Sequence, residues 1–479
     1  MLPPTDPELT VAADPEMGMR QPHVVIVGGG IAGLVAAREL LDGGARVTLV
    51  EASDRLGGKI ASHTVDGIRL DAGAESFATR GGTVAELLTE LGLDGDIVTP
   101  AAGGAWLLPR TGPALPLPKA GLLGIPSVPL ARDVIAIVGY RGALRAQLDG
   151  LLSGFVGSRE RSLGSLVRKR MGRAVLDRLV SPVAGAIHSE HPDNLDVDVV
   201  APRLREAVLS RGSLARAVLT LREAAPAGSA VQGLAGGVFR IIDALAAAID
   251  VRCEMRLGSP VGAWDDTGVT LVDGERITAD QVILTVAIDA QPGTIITLAT
   301  LVVRSAGLSP APRGTGVLVA PGADGVRAKA LTHATAKWGW LASLAEDRQI
   351  LRLSYDRAPE SDSELRDQAR MDAAVLLGVA LPESSVLAFD RVCWSGPRRA
   401  NPVPAASGNV PEGVGAGTEE RKAERIGNAE HLSTPYAALE IGERVAGTGL
   451  AAIIGHARRV SGNLLTDLAS RPGLRLSPP

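Results

Sequence analysis

The stretch "HVVIVGGGIAGLVAARELLDGGARVTLVEASDRLGGK", His23–Lys59, decides the fold. Val24 to Val27 form a run of β-branched residues with no polar break, the pattern of a strand buried on both faces of a parallel sheet. Gly28, Gly30 and Gly33 follow in G-x-G-x-x-G spacing, with Gly29, Ile31 and Ala32 between them. The first glycine permits a tight turn, the second lets backbone approach a pyrophosphate, and the third lets a helix sit close to the strand. Free N–H groups at the start of that helix then face the phosphates, where the helix dipole favours negative charge. Leu34, Ala37 and Leu41 recur at helical spacing. Arg46 to Val50 reads as the next strand and ends at Glu51, 18 residues beyond Gly33. A carboxylate there is placed to accept from a ribose hydroxyl and would repel a 2′-phosphate, which disfavours NADP.

The continuation "EASDRLGGK" separates the remaining dinucleotides. Ala52, Arg55, Gly57, Gly58 and Lys59 lie just beyond the acid. This resembles the second phosphate-facing turn of FAD proteins of the amine-oxidase and porphyrinogen-oxidase superfamily. In that resemblance Arg55 supplies charge-assisted contacts to the pyrophosphate, and FAD is the expected cofactor.

At 479 residues the chain is too long for one ordinary core and predicts two or three domains. The 46% apolar content and 57 glycines describe a globular chain rich in turns. A net charge of −4 provides no overall field favouring nucleic acid. Cys253 and Cys393 are too few for a disulfide framework or a multi-thiolate metal site, which suits a reducing, cytoplasmic setting. Residues 1–22 lack an apolar signal-like core, and no uninterrupted run reaches the length of a membrane span. Peripheral membrane contact is left open.

The expected fold class is α/β: a Rossmann-like FAD-binding domain assembled from separated segments, an α+β domain with an antiparallel sheet, and a helical region. The segments are a flexible arm (1–22), nucleotide-binding pieces (23–80, 229–293 and 437–470), a helical region facing substrate or membrane (81–228), and a sheet domain (294–396). A loop or disordered stretch (397–436) lacks apolar periodicity. "LVRKRMGRAVLDRLVSP" places Leu166, Val167, Met171, Val175, Leu176 and Leu179 on one helix face, with its basic residues expected on a solvated one. "IITLATLVV", "GTGVLVA", "AKALTHATAKW" and "QILRLSY" read as strands of the sheet. Gly442, Gly447 and Gly449 precede a second helix start of the phosphate- or flavin-facing kind, at Gly449 and Leu450.

Over residues 23–395 and 439–466 the chain resembles the coproporphyrinogen III and protoporphyrinogen IX oxidases. The motifs that carry this are "DAGAESFATR" (Asp71–Arg80), "LPLPKAGLLGIP", "SPVAGAIHSEHPDNLDVDVVAPRL" and "AKALTHATAKW" (Ala328–Trp338). The resemblance implies six-electron oxidation of a porphyrinogen through three hydride transfers to flavin, with O2 as acceptor, in haem biosynthesis. It also implies an apolar slot rimmed by cations that hold the macrocycle's carboxylates. Arg80, Lys329 and Lys337 are the candidates for that rim, the two lysines sharing one strand face by their even separation. Gly73, Ala74, Glu75 and Ser76 are expected beside the isoalloxazine, and the backbone of Val261 beside the adenine. A downstream haem-pathway enzyme is a conceivable partner.

No residue is singled out as catalytic, and the spacing of His188 and His333 supports no metal site. Two departures from the resemblance stand out. "VAIDAQPGTIITLATL" joins its strands by a very short connection, and the chain after Trp394 lacks the proline-glutamine step and glycine-histidine turn usual there. Two rival functions follow: another flavin oxidase, acting on amines or alkenes, and an FAD-binding relative without activity.

Overall fold

The computed structural model describes residues 19–79, 81–188, 190–223, 231–286, 295–395, 438–447 and 449–477. A five-stranded sheet runs in the order Glu254–Arg256, Arg46–Val50, His23–Val27, Gln281–Leu284, Leu439–Glu440. Every neighbouring pair is parallel. Strands distant in sequence therefore close one sheet, and the central His23–Val27 strand is buried at all five positions. Helices Ile31–Asp42, Arg240–Ile249 and Leu450–Ser470 pack their apolar residues into the same core: Leu34, Leu40, Ile241, Leu245, Ile454 and Leu464 join Val24, Ile26 and Leu49 there. Each such side chain taken fully out of water contributes about 1.5–3 kcal/mol.

The second sheet has seven strands in the order Val386–Ser395, Ile295–Val303, Gln349–Tyr355, Ala330–His333, Gly316–Val319, Ala105–Leu108, Leu115–Pro116. It is mixed, not purely antiparallel: Gly316–Val319 runs parallel to Ala105–Leu108. Two of its strands, Ala105–Leu108 and Leu115–Pro116, come from within the 81–228 segment, which is therefore not wholly helical. Helix Asp362–Leu377 covers one face through Leu365, Ala369, Ala373 and Leu376. It starts where the Ser361 hydroxyl accepts the Glu364 N–H and ends at Gly378, whose φ is +67°.

The structure corrects two expectations. "AKALTHATAKW" is not one strand: pairing stops at His333, and Ala334–Lys337 and Gly339–Ala345 are helical. The Thr335 hydroxyl accepts the Ile350 N–H and donates to Gln349 Oε1, so a side chain occupies the ladder just where it would have continued. Lys329 precedes the strand and Lys337 lies on the helix, so they do not share a strand face.

The second correction concerns one residue of the basic run: Lys169, Arg173 and Arg178 are exposed as expected, and Arg170 is not. Leu163–Met171 is a helix that breaks at Gly172 (φ +90°), followed by a wide turn at Leu176–Val180 and helix Ser181–His188. Leu166, Val167, Met171, Val175, Leu176 and Leu179 are all buried as the periodicity requires. Arg170, however, is fully buried beside Asp149. Its Nε donates to Asp149 Oδ1 at 2.5 Å, and its terminal nitrogens donate to the carbonyls of Ser153, Val156, Asp149 and Gly212. Asp149 Oδ2 accepts from Ser213 Oγ and the Ala215 N–H. This cluster is internal scaffolding and not a solvated face. The 397–436 stretch and residues 1–18 lie outside the described residues. Among the described residues no helix is long and apolar enough to cross a membrane.

Candidate functional site

At the carboxyl end of His23–Val27 the glycines divide by what each is needed for. Gly28 has φ +106°, and a Cβ there would stand 2.3 Å from Thr285 Oγ1; at Gly33 it would stand 2.0 Å from the Gly28 carbonyl oxygen. Those two positions require glycine for the turn and for helix-on-strand packing. Gly30 is different. Its φ of −74° and ψ of −179° suit any residue, and an added Cβ would meet nothing within 4 Å. The fold does not need glycine at 30, which fits a backbone kept bare for a ligand. Ile31 and Ala32 follow, buried, in the first turn of the helix.

A second glycine turn lies against the first. The Gly57 N–H donates to the Gly29 carbonyl at 2.8 Å, and Gly30 and Gly57 form a parallel bridge. Gly57 and Gly58 have φ of +100° and +56°. The Lys59 carbonyl oxygen is 2.4 Å from where a Gly73 Cβ would sit, so the 71–76 loop rests directly on that turn. The Lys59 ammonium pairs with Glu443, in the turn of helix that follows Gly442. Gly447 and Gly449 have φ of +82° and +111° with open space beside them, and the 21-residue helix Leu450–Ser470 begins there. Neither this helix nor Ile31–Asp42 carries an acidic side chain in its first turn. Their free N–H groups can therefore meet an anion without a competing carboxylate.

Glu51 ties the arrangement together. Its Oε2 accepts the Gly29 N–H at 2.6 Å, while Oε1 accepts the Ser53 N–H and hydroxyl. Three of the roughly four lone-pair positions of the carboxylate are thus filled from within the chain, leaving about one for a ribose hydroxyl. Ala52 is exposed beside it. Arg55 curls over its own turn and donates to the Leu56 and Gly58 carbonyls. Val261 begins strand Val261–Asp265, half-buried and paired with Leu271. These features fit a dinucleotide whose phosphates lie across the two glycine turns.

Beyond Gly73 the chain enters a buried polar cluster. Asp71 ends strand Ile68–Asp71, and its carboxylate accepts the Val238 and Phe239 N–H groups at 3.1 and 2.9 Å, just ahead of helix Arg240–Ile249. Burial pushes this carboxyl up to about 6 despite those two bonds. Glu75 accepts from Lys337 Nζ at 2.6 Å and from Arg352 at 2.7 Å. Burial works to raise the Glu75 carboxyl, but the two cations outweigh it and hold it below the usual carboxylate range. Arg352, 6% exposed, also donates to the Asp71 and Gly73 carbonyls, each at 2.8 Å. A cavity of about 20 Å³ adjoins this cluster, walled by Leu70, Leu234, Trp338, Trp340 and Leu341. Ser76 is half-buried and Ala74 exposed in the same loop. Phe77–Ala78 then pairs with Val231–Leu234, fixing the loop's far end.

The proposed cation rim is not assembled in one place. Lys337 faces Glu75, whereas Lys329 pairs with Asp356 beside a separate hollow of about 950 Å³ bordered by Arg327, Arg357 and Gln368. Arg80 lies outside the described residues. Sequence reasoning missed Arg352 and Glu443. A lone arginine inside the apolar strand "QILRLSY" is the signal that marks Arg352, since a buried charge needs a partner. His333 is buried, with Nε2 2.8 Å from Gln349 Oε1, and burial pushes its pKa down. The side chain of His188 is outside the described residues. Among the described residues no group of three or more His, Cys, Asp or Glu gathers as metal ligands.

Comparison with known proteins gives the same picture. Residues 31–308 match the family described as flavin containing amine oxidoreductase. The chain is 29% identical over 296 residues to the coproporphyrinogen III oxidase of Propionibacterium freudenreichii, spanning 55% of this chain and only 56% of that relative. It is 30% identical over 420 residues to the coproporphyrinogen III oxidase of Mycobacterium leprae, covering 81% of this chain and 91% of that one. A crystal structure from Exiguobacterium sp. 255-15, provisionally named a protoporphyrinogen oxidase, superposes with a TM-score of 0.75 at 24% identity, over 94% of this chain and all of that one. The chain therefore belongs to the flavin containing amine oxidoreductase family, whose cofactor is FAD, among relatives named coproporphyrinogen III oxidase.

Proposed function

We propose that this chain oxidises a porphyrinogen, with coproporphyrinogen III favoured over protoporphyrinogen IX and O2 as terminal acceptor. The observation that carries the reading is the likeness to a coproporphyrinogen III oxidase across 81% of the chain and 91% of that relative. Bound FAD supplies two-electron redox chemistry. The chain's residues have the tasks of holding it, orienting the reacting carbon and keeping water away. In this reading Gly28–Gly33 and Gly57–Lys59 take the pyrophosphate, Glu51 the ribose, and the Val261 backbone the adenine. Gly73–Ser76 run beside the ring, with the Gly449–Leu450 helix start at its other edge.

The substrate rim changes from the sequence expectation. Lys337 is neutralised by Glu75, so it is a poor ligand for a propionate. Arg80 stays the first candidate, and Lys329, paired with Asp356, is weakened on the same ground as Lys337. Anaerobic mixing of the FAD-loaded protein with each reduced porphyrin tests the function. Bleaching of the flavin band by coproporphyrinogen III, faster than by protoporphyrinogen IX, is the expected result. Bleaching by primary amines with neither porphyrinogen active would transfer the assignment to an amine oxidase.

A further inference from the structure

The Glu75 cluster has a feature that holding the loop alone does not require. Two cations, Lys337 and Arg352, converge on one carboxylate, with side chains 18%, 6% and 13% exposed respectively. The other acid nearby, Asp71, uses its carboxylate on the Val238 and Phe239 N–H groups and makes no ion pair with either cation among the described residues. Glu75 is thus the carboxylate that meets both cations among the described residues, in a place where solvent screens charge weakly. Arg352 keeps one further unsatisfied donor. Its Nε has no partner among the described residues, and the residue lines the 20 Å³ cavity with Asp71 and Glu75, a space large enough for one water.

The mechanical linkage is equally direct. Arg352 sits in the seven-stranded sheet opposite Thr332, and its guanidinium grips two carbonyls of the 71–76 loop as well as Glu75. The same loop rests through Gly73 on the Lys59 carbonyl, and that turn in turn rests on Gly29 and Gly30. One continuous path thus joins the dinucleotide turns to the seven-stranded sheet, with Glu75 as its only carboxylate bridge to Lys337 and Arg352 among the described residues.

We propose that Glu75 is a positioning residue that sets the electrostatic field at the redox end of the cofactor, by partly neutralising Lys337 and Arg352 beneath the 71–76 loop. The inference rests on the reading that this loop runs beside the isoalloxazine. Reduction adds negative charge to the ring, so bare cations favour the reduced form and the Glu75 carboxylate opposes it. Glu75 moderates how readily the cofactor accepts electrons.

The test is the midpoint potential of FAD bound to the full chain. Glu75→Gln keeps the shape, removes the charge and raises the potential by an amount equal to about tenfold in the reduced-to-oxidised ratio, roughly 30 mV for a two-electron couple. Lys337→Met alone lowers it. The double variant Glu75→Gln with Lys337→Met restores the charge sum and returns the potential towards that of the unaltered protein, which a purely structural role would not do. Unmoved potentials in Glu75→Gln and Lys337→Met, with FAD retained, overturn the proposal. Should Glu75→Gln fail to fold, an unchanged potential in Lys337→Met overturns it just as well. If the unaltered protein binds no FAD, the functional reading falls along with this inference. If it binds FAD and oxidises porphyrinogen while the variants stay unmoved, this inference alone falls.

Discussion

Gly30 offers a way to separate ligand binding from folding. Its backbone angles suit an L-residue, and a Cβ would project into space with no protein atom within 4 Å. For Gly30→Ala two opposing effects act on the protein without cofactor. Alanine is a poorer helix N-cap than glycine, by up to about 1 kcal/mol. It also restricts the unfolded chain, which stabilises the fold by about 0.4–1 kcal/mol. The sum is close to zero. In the proposed reading, however, the methyl group occupies the place where the phosphates approach, and Gly30→Val fills it further. Losing one charge-assisted hydrogen bond there costs about 1.5–3 kcal/mol, which is roughly tenfold to a hundredfold in the Kd for FAD. Urea melts of the cofactor-free proteins, paired with FAD titration followed by flavin fluorescence, give both quantities. Gly33→Ala is the contrast, because its Cβ would lie 2.0 Å from a backbone carbonyl, so that variant loses stability without FAD as well. Unchanged FAD affinity in Gly30→Val would refute the reasoning, as would a loss of more than about 2 kcal/mol of cofactor-free stability in Gly30→Ala.

Arg170→Met should destabilise the cofactor-free protein by about 3–5 kcal/mol, because it strands the Asp149 carboxylate inside the fold. Adding Asp149→Leu should recover part of that loss, and strictly additive urea-melt energies would contradict a coupled pair. Asp71 gives a pH signature. Its folded pKa of about 6 lies above the ordinary 3.8, so the fold binds its proton more tightly than the unfolded chain does. Stability from this group is full below about 4 and falls as pH rises to 6, by roughly 3 kcal/mol in all. Asp71→Asn should remove that slope from the urea midpoint measured between pH 4 and 7, and parallel profiles would contradict it. The thiols should differ as well, since burial pushes Cys253 up to about 11 while Cys393 is exposed. Iodoacetamide at pH 8 should therefore give one adduct in the native protein by mass spectrometry, where two adducts would show Cys253 to be accessible.

What the sequence disclosed and what it concealed follow from the range of the interactions. The Gly28–Gly30–Gly33 spacing, the terminal Glu51 and the Gly57–Gly58 turn are local, because strand, turn and helix must succeed one another within the chain. The Leu166–Leu179 periodicity survives a break at Gly172 for the same reason: the core selects apolar residues whether or not the helix is continuous. The pairing of Glu75 with Lys337 and Arg352 spans 262 and 277 residues, and no short pattern announces it. Arg170 looked solvated because its neighbours Arg168 and Lys169 are basic, while its partner Asp149 belongs to another segment. Lys329 and Lys337 seemed to share a face because Thr335 looks like any strand threonine until its hydroxyl is seen to take the Ile350 N–H.

The most direct test of the account is the flavin content of the isolated protein, measured by visible absorbance after incubation with excess FAD and removal of free cofactor. Two glycine turns and two acid-free helix starts predict one equivalent of FAD retained per chain. A colourless, folded protein holding no flavin would contradict it.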